Sequence, residues 1–297
     1  MNDLRLWVVG CARDCGKYLP SVFRNVNQLR PWFADVQLRL LENDSQDDTV
    51  DQIRTYAAVF DSLRWRQLPG LEQQGLVRTE RMAHLRNALL AWIRSDCLWS
   101  ASDLVLMLDW DEVNAQPWQV EHWPELLRAF LSRPQQAAVF ANQKGPYYDL
   151  WALRHVTRMP HDPWQQVFDL HCRQPLLSDQ ELIERAYLPL VFTLDPKSSP
   201  ESVESAFGGL GFYKASWLDR NRSVYSGVVS RWLGESDYSS RLIRWQVAEH
   251  VSFHAGLRAL GGSLWICPSL INWTTADLPD LRPNPKAWRY LSCTPML

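Results

Sequence analysis

The sequence predicts an α/β fold, a doubly wound sheet in a single domain, and three observations carry that expectation. Short apolar runs rich in β-formers alternate with segments of helical spacing from the N-terminus onward. One run, LVLML at 104–108, is apolar at every position, which suits a central parallel strand covered on both faces. Polar and acidic clusters follow directly after the strands, where ligands of doubly wound sheets sit. With 297 residues and 46% hydrophobic content, the chain has material for one large core.

Residues 4–9 read as a buried strand, closed by a turn at Gly10 and followed by an amphipathic helix over 18–29. A second strand over 35–41 alternates through Val36, Leu38 and Leu40, ends in Glu42-Asn43-Asp44-Ser45, and gives way to a helix over 49–60. A third strand is expected over 63–68, then a glycine-containing loop through Gly75. Helical spacing at Met82, Leu85, Leu89 and Ile93 follows within 79–95. The strand 103–108, a helix over 123–131 and a strand over 137–141 keep the rhythm. The second half reads as less regular, with proline-rich loops at 159–163 and 194–200, a strand or hairpin over 206–213, a helix over 247–260 and a strand over 263–266. The domain therefore divides into a ligand-binding half, 1–112, and a site-completing half, 113–297.

Charge and composition exclude several classes. The 31 basic and 33 acidic residues leave a net charge of -2, so no field exists to hold a nucleic acid. The apolar run at the N-terminus is far shorter than the roughly 20 residues of a membrane span, and no transmembrane segment is expected. Six cysteines without CxxC pairs point to reduced thiols. The expectation is a cytoplasmic protein, soluble or peripheral at a membrane. Most of the 16 tryptophans are expected in the core, although such rings also stack on sugars and bases.

The chemistry concentrates in a few places. Asp109 and Asp111 flank Trp110 just past the most apolar strand; carboxylates at i and i+2 there offer hard oxygens to Mg²⁺ or Mn²⁺, or form a solvated acidic turn at a helix start. Glu42, Asn43, Asp44 and Ser45 stand where a doubly wound sheet bonds a nucleotide's base and ribose, with Asp48 or Thr49 as a helix cap. Arg81 and Arg86, with Asn87 beside the latter, can meet a diphosphate from the helix before the acidic strand, or form its solvated face. Tyr148 and Trp151 bracket Asp149, a pairing that suits a sugar's C–H face and hydroxyls as well as it suits ordinary packing. Phe207, Gly208 and Gly209 open a glycine cluster that lets backbone approach a ligand, without the strand-to-helix setting of a phosphate loop. His250 and His254 lie one turn apart with Glu249 adjacent: a metal ligand and a base, or two satisfied helical histidines.

CARDCGKYL, LLENDSQDDT, RMAHLRNALL, VLMLDWDE, YYDLWALR, FGGLGFY and AEHVSFH occur in this order over most of the chain. Together they resemble the GT-A glycosyltransferases, and more narrowly the branch of the capsule-associated cryptococcal mannosyltransferases. The resemblance implies a GT-A type Rossmann-like sheet with an irregular acceptor-side part. It implies a nucleotide held by Glu42 to Ser45 and by Ala12 and Arg13 of the first loop, with further cofactor contacts at Asp109 and Trp110. The metal would sit on Asp111 directly, Asp109 would contact the ribose or the metal through water, and His254 or His250 would complete the coordination. Two departures stand out: tryptophan fills the middle of the DxD motif, and Glu249-His250 stands where inverting members often show Glu-Asp.

The activity that the resemblance implies is that of a hexosyltransferase. Such an enzyme uses Mn²⁺ or Mg²⁺ and a nucleoside diphosphate sugar (GDP- or UDP-linked) to glycosylate a hydroxyl of a glycan or glycolipid acceptor. Glu249 or Asp149 is the candidate base if the enzyme inverts; a retaining enzyme requires none. A sugar nucleotidyltransferase and a non-catalytic sugar-binding module are the alternatives.

Overall fold

The computed structural model describes residues 1, 3–233 and 241–274, with side chains described outside 231–243. The first half follows the expected alternation closely: β1 (Arg5–Ala12), α1 (Leu19–Asn27), β2 (Asp35–Glu42), α2 (Thr49–Val59), β3 (Leu63–Gln67), α3 (Arg78–Arg94), β4 (Leu104–Leu108), α4 (Trp123–Leu131) and β5 (Gln136–Lys144). The second half adds α5 (Pro163–Arg173), α6 (Asp179–Leu182), β6 (Glu201–Val203), β7 (Leu210–Lys214), α7 (Ala215–Arg220), β8 (Val228–Leu233), β9 (Arg241–Gln246), α8 (His250–Ala259) and β10 (Ser263–Thr274).

The main sheet runs β3-β2-β1-β4-β7-β5-β10-β6. Its β1, β2, β3 and β4 are parallel neighbours and β5 pairs parallel with β10, while β7 is an antiparallel insertion between β4 and β5 and β6 is an antiparallel edge strand on β10. The chain moves outward from β1 to β2 and β3, then returns to the other side of β1 as β4. The topological switch point, where such sheets open a crevice, therefore lies between the C-terminal ends of β1 and β4.

Both faces of the sheet are covered. Along β1, Trp7 and Val9 join one apolar cluster with Leu85 and Leu89 of α3; Leu6 and Val8 join the other with Val22 and Phe23 of α1. In β4, Val105 and Met107 face the first cluster, whereas Leu104, Leu106 and Leu108 face the second. This period-2 division explains the uninterrupted apolar run: a strand buried on both sides has no polar face to show.

Two differences from expectation have local causes. The proline-rich stretch at 159–163 was expected as loop, but Pro163 is the first residue of α5 and Asp162 caps it, accepting from the Trp164 N–H at 2.9 Å. A proline that lacks a donor suits a first turn whose N–H groups have no partner. Helix α8 starts at His250 rather than Val247, because the Val247 N–H donates to the Gly227 carbonyl and holds that stretch in the connection from β9.

Candidate active site

A cavity of ≈ 390 Å³ opens at the β1/β4 switch point. Its wall takes Cys11 to Cys15 from the loop after β1, Asn43 from the end of β2, and Arg78, Arg81 and Arg86 from α3. It also takes Asp109, Trp110 and Asp111 from the end of β4, Tyr148, Asp149 and Trp151 from the segment after β5, and Phe207, Glu249 and His250 from the second half.

Strand alternation aims these groups. The face that carries Val105 and Met107 next presents Asp109, which meets Arg86 on the neighbouring α3, while Trp110 turns to the opposite face and packs on Phe23 at 4.8 Å between ring centroids. Trp110 is 1% exposed, so it is a core side chain whose edge reaches the cavity rather than a free contact group. Asp111 is exposed in the cavity mouth and accepts from the Val113 N–H at 3.3 Å, which caps a short helical turn. The helix-start and ligand readings of this residue are compatible, since one carboxylate oxygen is left for another partner.

Buried Arg86 forks between two carboxylates. Its Nη2 donates to Asp109 Oδ1 at 3.0 Å and its Nε donates to Glu249 Oε1 at 2.9 Å. Burial alone would lower the guanidinium, but Asp109 and Glu249 hold it charged, above its ordinary value. The expected diphosphate contact by Arg86 is thus replaced by carboxylate pairing at its Nε and Nη2. Burial pushes the Asp109 carboxyl up to about 7; Arg86 opposes the rise, and Asp111 and Asp149 add to it. Burial likewise raises Asp149, against the Ala152 and Gly208 N–H groups that donate to its two oxygens at 3.2 and 3.3 Å.

The structure corrects several other expectations. In the loop after β2, Glu42 accepts from the Ser45 N–H and Gln67 Nε2. Asp44 accepts from the Gly70 and Glu72 N–H groups, and the Ser45 hydroxyl accepts from the Asp14 N–H. These side chains stitch the loops after β1, β2 and β3 together, and of the four, Asn43 lines the cavity. Asn87 clamps the Tyr225 backbone through both ends of its amide, at 2.9 Å each, and does not face the cavity.

His254 is fully buried with Nδ1 2.9 Å from the Ser205 hydroxyl and Nε2 2.8 Å from the Tyr213 hydroxyl, so neither nitrogen is left for a metal. Burial drives its pKa down to about 3. His250 does line the cavity, stacked on Phe207 at 4.1 Å between ring centroids, and neither of its ring nitrogens has a hydrogen-bond partner among the described residues. Burial, then Arg86 and His254, lowers its pKa well below the ordinary value, which leaves the imidazole neutral.

Gly208 and Gly209 approach protein rather than open space. Both have positive φ, 67° and 79°, and a Cβ would stand 2.9 Å from the Ala141 carbonyl at Gly208 and 2.6 Å from Val113 Cγ1 at Gly209. The Gly209 carbonyl accepts from the Asp109 N–H at 2.9 Å and from Asn114 Nδ2 at 2.8 Å. The glycine turn therefore props the acidic segment, and Phe207 is its member on the cavity wall.

Arg78 is a wall residue that the sequence pattern did not single out. The helix was expected to begin at Thr79, yet Arg78 and Arg81 at i,i+3 share a face of α3, a spacing visible in RTER. Among the described residues Arg81 Nη1 donates to the Leu76 carbonyl, at 3.3 Å, and Arg13 pairs with Glu72 at 2.8 Å. Among the described residues no three His, Cys, Asp or Glu side chains form a group ready to hold a cation. No described helix is long and apolar enough to cross a membrane.

No protein-family model and no curated protein matches the chain. Solved structures similar to it include a mannosyltransferase from Pyrobaculum calidifontis in complex with GDP-Man and Mn²⁺, at 14% identity over 97% of this chain and 60% of that one, with a TM-score of 0.49. Others are glucosyl-3-phosphoglycerate synthase from Mycobacterium tuberculosis with UDP (15%, 96% and 76%, TM-score 0.43) and S. aureus TarS 1–349 (11%, 92% and 60%, TM-score 0.45). The chain thus spans about three fifths of the length of the first and third.

Proposed function

We propose that the chain is a GT-A type glycosyltransferase that moves a hexose from a GDP- or UDP-sugar to a hydroxyl of a glycan or glycolipid acceptor. The observation that carries this reading is one cavity at the β1/β4 switch point that gathers Asp109, Asp111, Arg78, Arg81, Asn43 and the loop after β1. The narrower kinship with the cryptococcal mannosyltransferase branch, and the division into a donor half 1–112 and an acceptor half 113–297, belong to the same proposal.

Asp109 and Asp111 would hold Mn²⁺ or Mg²⁺, and the neutral His250 ring, which lines the same cavity and whose nitrogens have no hydrogen-bond partner among the described residues, with Glu249 Oε1 3.7 Å from Nε2, is a candidate for a further ligand. This donor set fits a hard cation that keeps waters and takes substrate phosphate oxygens alongside one or two carboxylates. When bound, the cation would neutralise the charge that develops on the departing nucleoside diphosphate.

The chain's own residues do the rest. Arg78 and Arg81 border the same opening and offer charge-assisted bonds to the diphosphate. Asn43 and the backbone from Ala12 to Cys15 border the place for base and ribose. Tyr148 and Trp151 border the same opening and offer their rings to the sugar moieties, whereas the Phe207 ring is already held between His250 and Arg86. Asp149, whose proton affinity burial brings closer to neutral pH, and Glu249 stand ready to accept the acceptor hydroxyl's proton. A cytoplasmic protein, peripheral at the membrane when its acceptor is a glycolipid, would accommodate these substrates.

The test is release of nucleoside diphosphate from a panel of UDP- and GDP-hexoses with Mn²⁺, with and without acceptor glycans. Release from one donor class, abolished by EDTA and by Asp111→Asn, is the expected result. Absence of release from every donor and acceptor contradicts the reading.

A further inference from the structure

The Asp109 and Glu249 carboxylates come from distant parts of the chain, the end of β4 and the residue before α8, and meet on one guanidinium. The Arg86 side chain is 3% exposed, donates to both acids, and lies over the Phe207 ring at 4.7 Å from its centroid. Its Nη1 is buried without a hydrogen-bond partner among the described residues.

Stability alone explains this arrangement poorly. A buried ion triad is often no more stable than apolar residues of equal volume, because removing its charges from water offsets their attraction. A planar, always charged guanidinium, however, fixes the direction of each bond it donates, which a lysine ammonium does not. The three side chains also stand on the wall of the cavity rather than in the packed core, and Phe207 holds the guanidinium plane from one side.

We propose that Arg86 is a positioning residue that locks Asp109 and Glu249 in a fixed relation, so that the carboxylate that takes the cation and the carboxylate beside the acceptor keep their mutual orientation. This rests on the glycosyltransferase reading. Asp109 Oδ1 and Glu249 Oε1 are engaged by the guanidinium, which leaves Oδ2 of the one and Oε2 of the other outside these two bonds. Without Arg86, two acids in one cavity lose the cation between them and the constraint on their rotamers.

The experiment compares wild type with Arg86→Ala, Arg86→Lys and Arg86→Ala in methylguanidinium. It reads Mn²⁺-dependent UDP and GDP affinity, kcat for transfer, and thermal stability. The expected result is a folded Arg86→Ala protein with at least tenfold weaker metal-dependent nucleotide binding and at least a hundredfold lower kcat. Methylguanidinium should restore both more fully than the lysine, which cannot fork to both acids. If Arg86→Ala does not fold, Arg86→Lys carries the test: it should keep the fold and lose kcat by at least tenfold. A lowered melting temperature with unchanged affinity and kcat in the folded variants would overturn the positioning role while leaving the glycosyltransferase reading intact. Wild type that binds no nucleotide would overturn both.

Discussion

The Asn272 side chain donates to the Asn114 side-chain carbonyl at 3.0 Å and to the Gly208 carbonyl at 2.9 Å, which ties β10 to the turn that carries Asp109 and Asp111. Asn114 in turn donates to the Asp109 and Gly209 carbonyls, and Gln143 donates to Asn272 and Gly208. Three buried amides from separate elements thus hold the glycine turn against the acidic segment. Asn272→Ala should cost about 3 kcal/mol, because it leaves several buried groups without partners, and should weaken nucleotide binding as the acidic segment loosens. Denaturant unfolding and calorimetry on the same variant check both effects.

Gly209→Ala places a methyl group 2.6 Å from Val113 Cγ1 at a backbone φ of 79°. Strain and overlap act together, and the expected destabilisation is about 2–4 kcal/mol. Gly75→Ala, also at positive φ but with open space around the added methyl, should cost less, about 1 kcal/mol. Equal losses at the two glycines, measured by denaturant unfolding, would contradict this account of the turn.

His254 sets a pH dependence whose sign follows from its burial. Between about 3, its folded value, and the ordinary 6.5, the unfolded chain binds a proton that the native protein does not, so its contribution is lost as the pH falls through that window. His254→Gln should destabilise the protein by about 1–3 kcal/mol at pH 7 through the Ser205 and Tyr213 bonds. The gap to wild type should narrow by up to about 1.4 kcal/mol per pH unit between pH 6 and pH 4. A gap that stays constant across these pH values contradicts a neutral, buried His254.

The carboxylate pair without a ready third ligand among the described residues predicts coupled binding. Mn²⁺ alone should bind weakly, and UDP or GDP should tighten it by about 100-fold, with Mn²⁺ tightening the nucleotide by the same factor. Paramagnetic resonance of free Mn²⁺, with and without nucleotide, measures this directly. Micromolar Mn²⁺ affinity in the absence of nucleotide would count against it.

The fold was legible in the sequence where one rule governs an element. Apolar alternation and length define β1, β2 and β4, and turn residues close them. The antiparallel insertion of β7 between β4 and β5 was not legible, because LGFYK is buried along its whole length and says nothing of direction. At the site, Asp109, Asp111, Asp149 and Glu249 were legible as residue types after strands or at a helix start. What each one touches was not: the Arg86 fork joins residues 163 positions apart, and the amide network spans Asn114, Gln143 and Asn272. Glu42, Asp44 and Ser45 look like ligand groups because loop-stitching side chains and nucleotide contacts draw on the same oxygen-rich residues. His254 misled for a similar reason, since helical spacing places two histidines on one side without saying that Tyr213 and Ser205 occupy one of them.

The most direct test of the central claim is calorimetric titration of UDP and GDP, each with Mn²⁺ and with EDTA, on wild type and Asp111→Ala. The account predicts metal-dependent binding of one nucleotide to the wild type and its loss in the variant. Binding that survives both EDTA and Asp111→Ala, or no binding of either nucleotide, would contradict it.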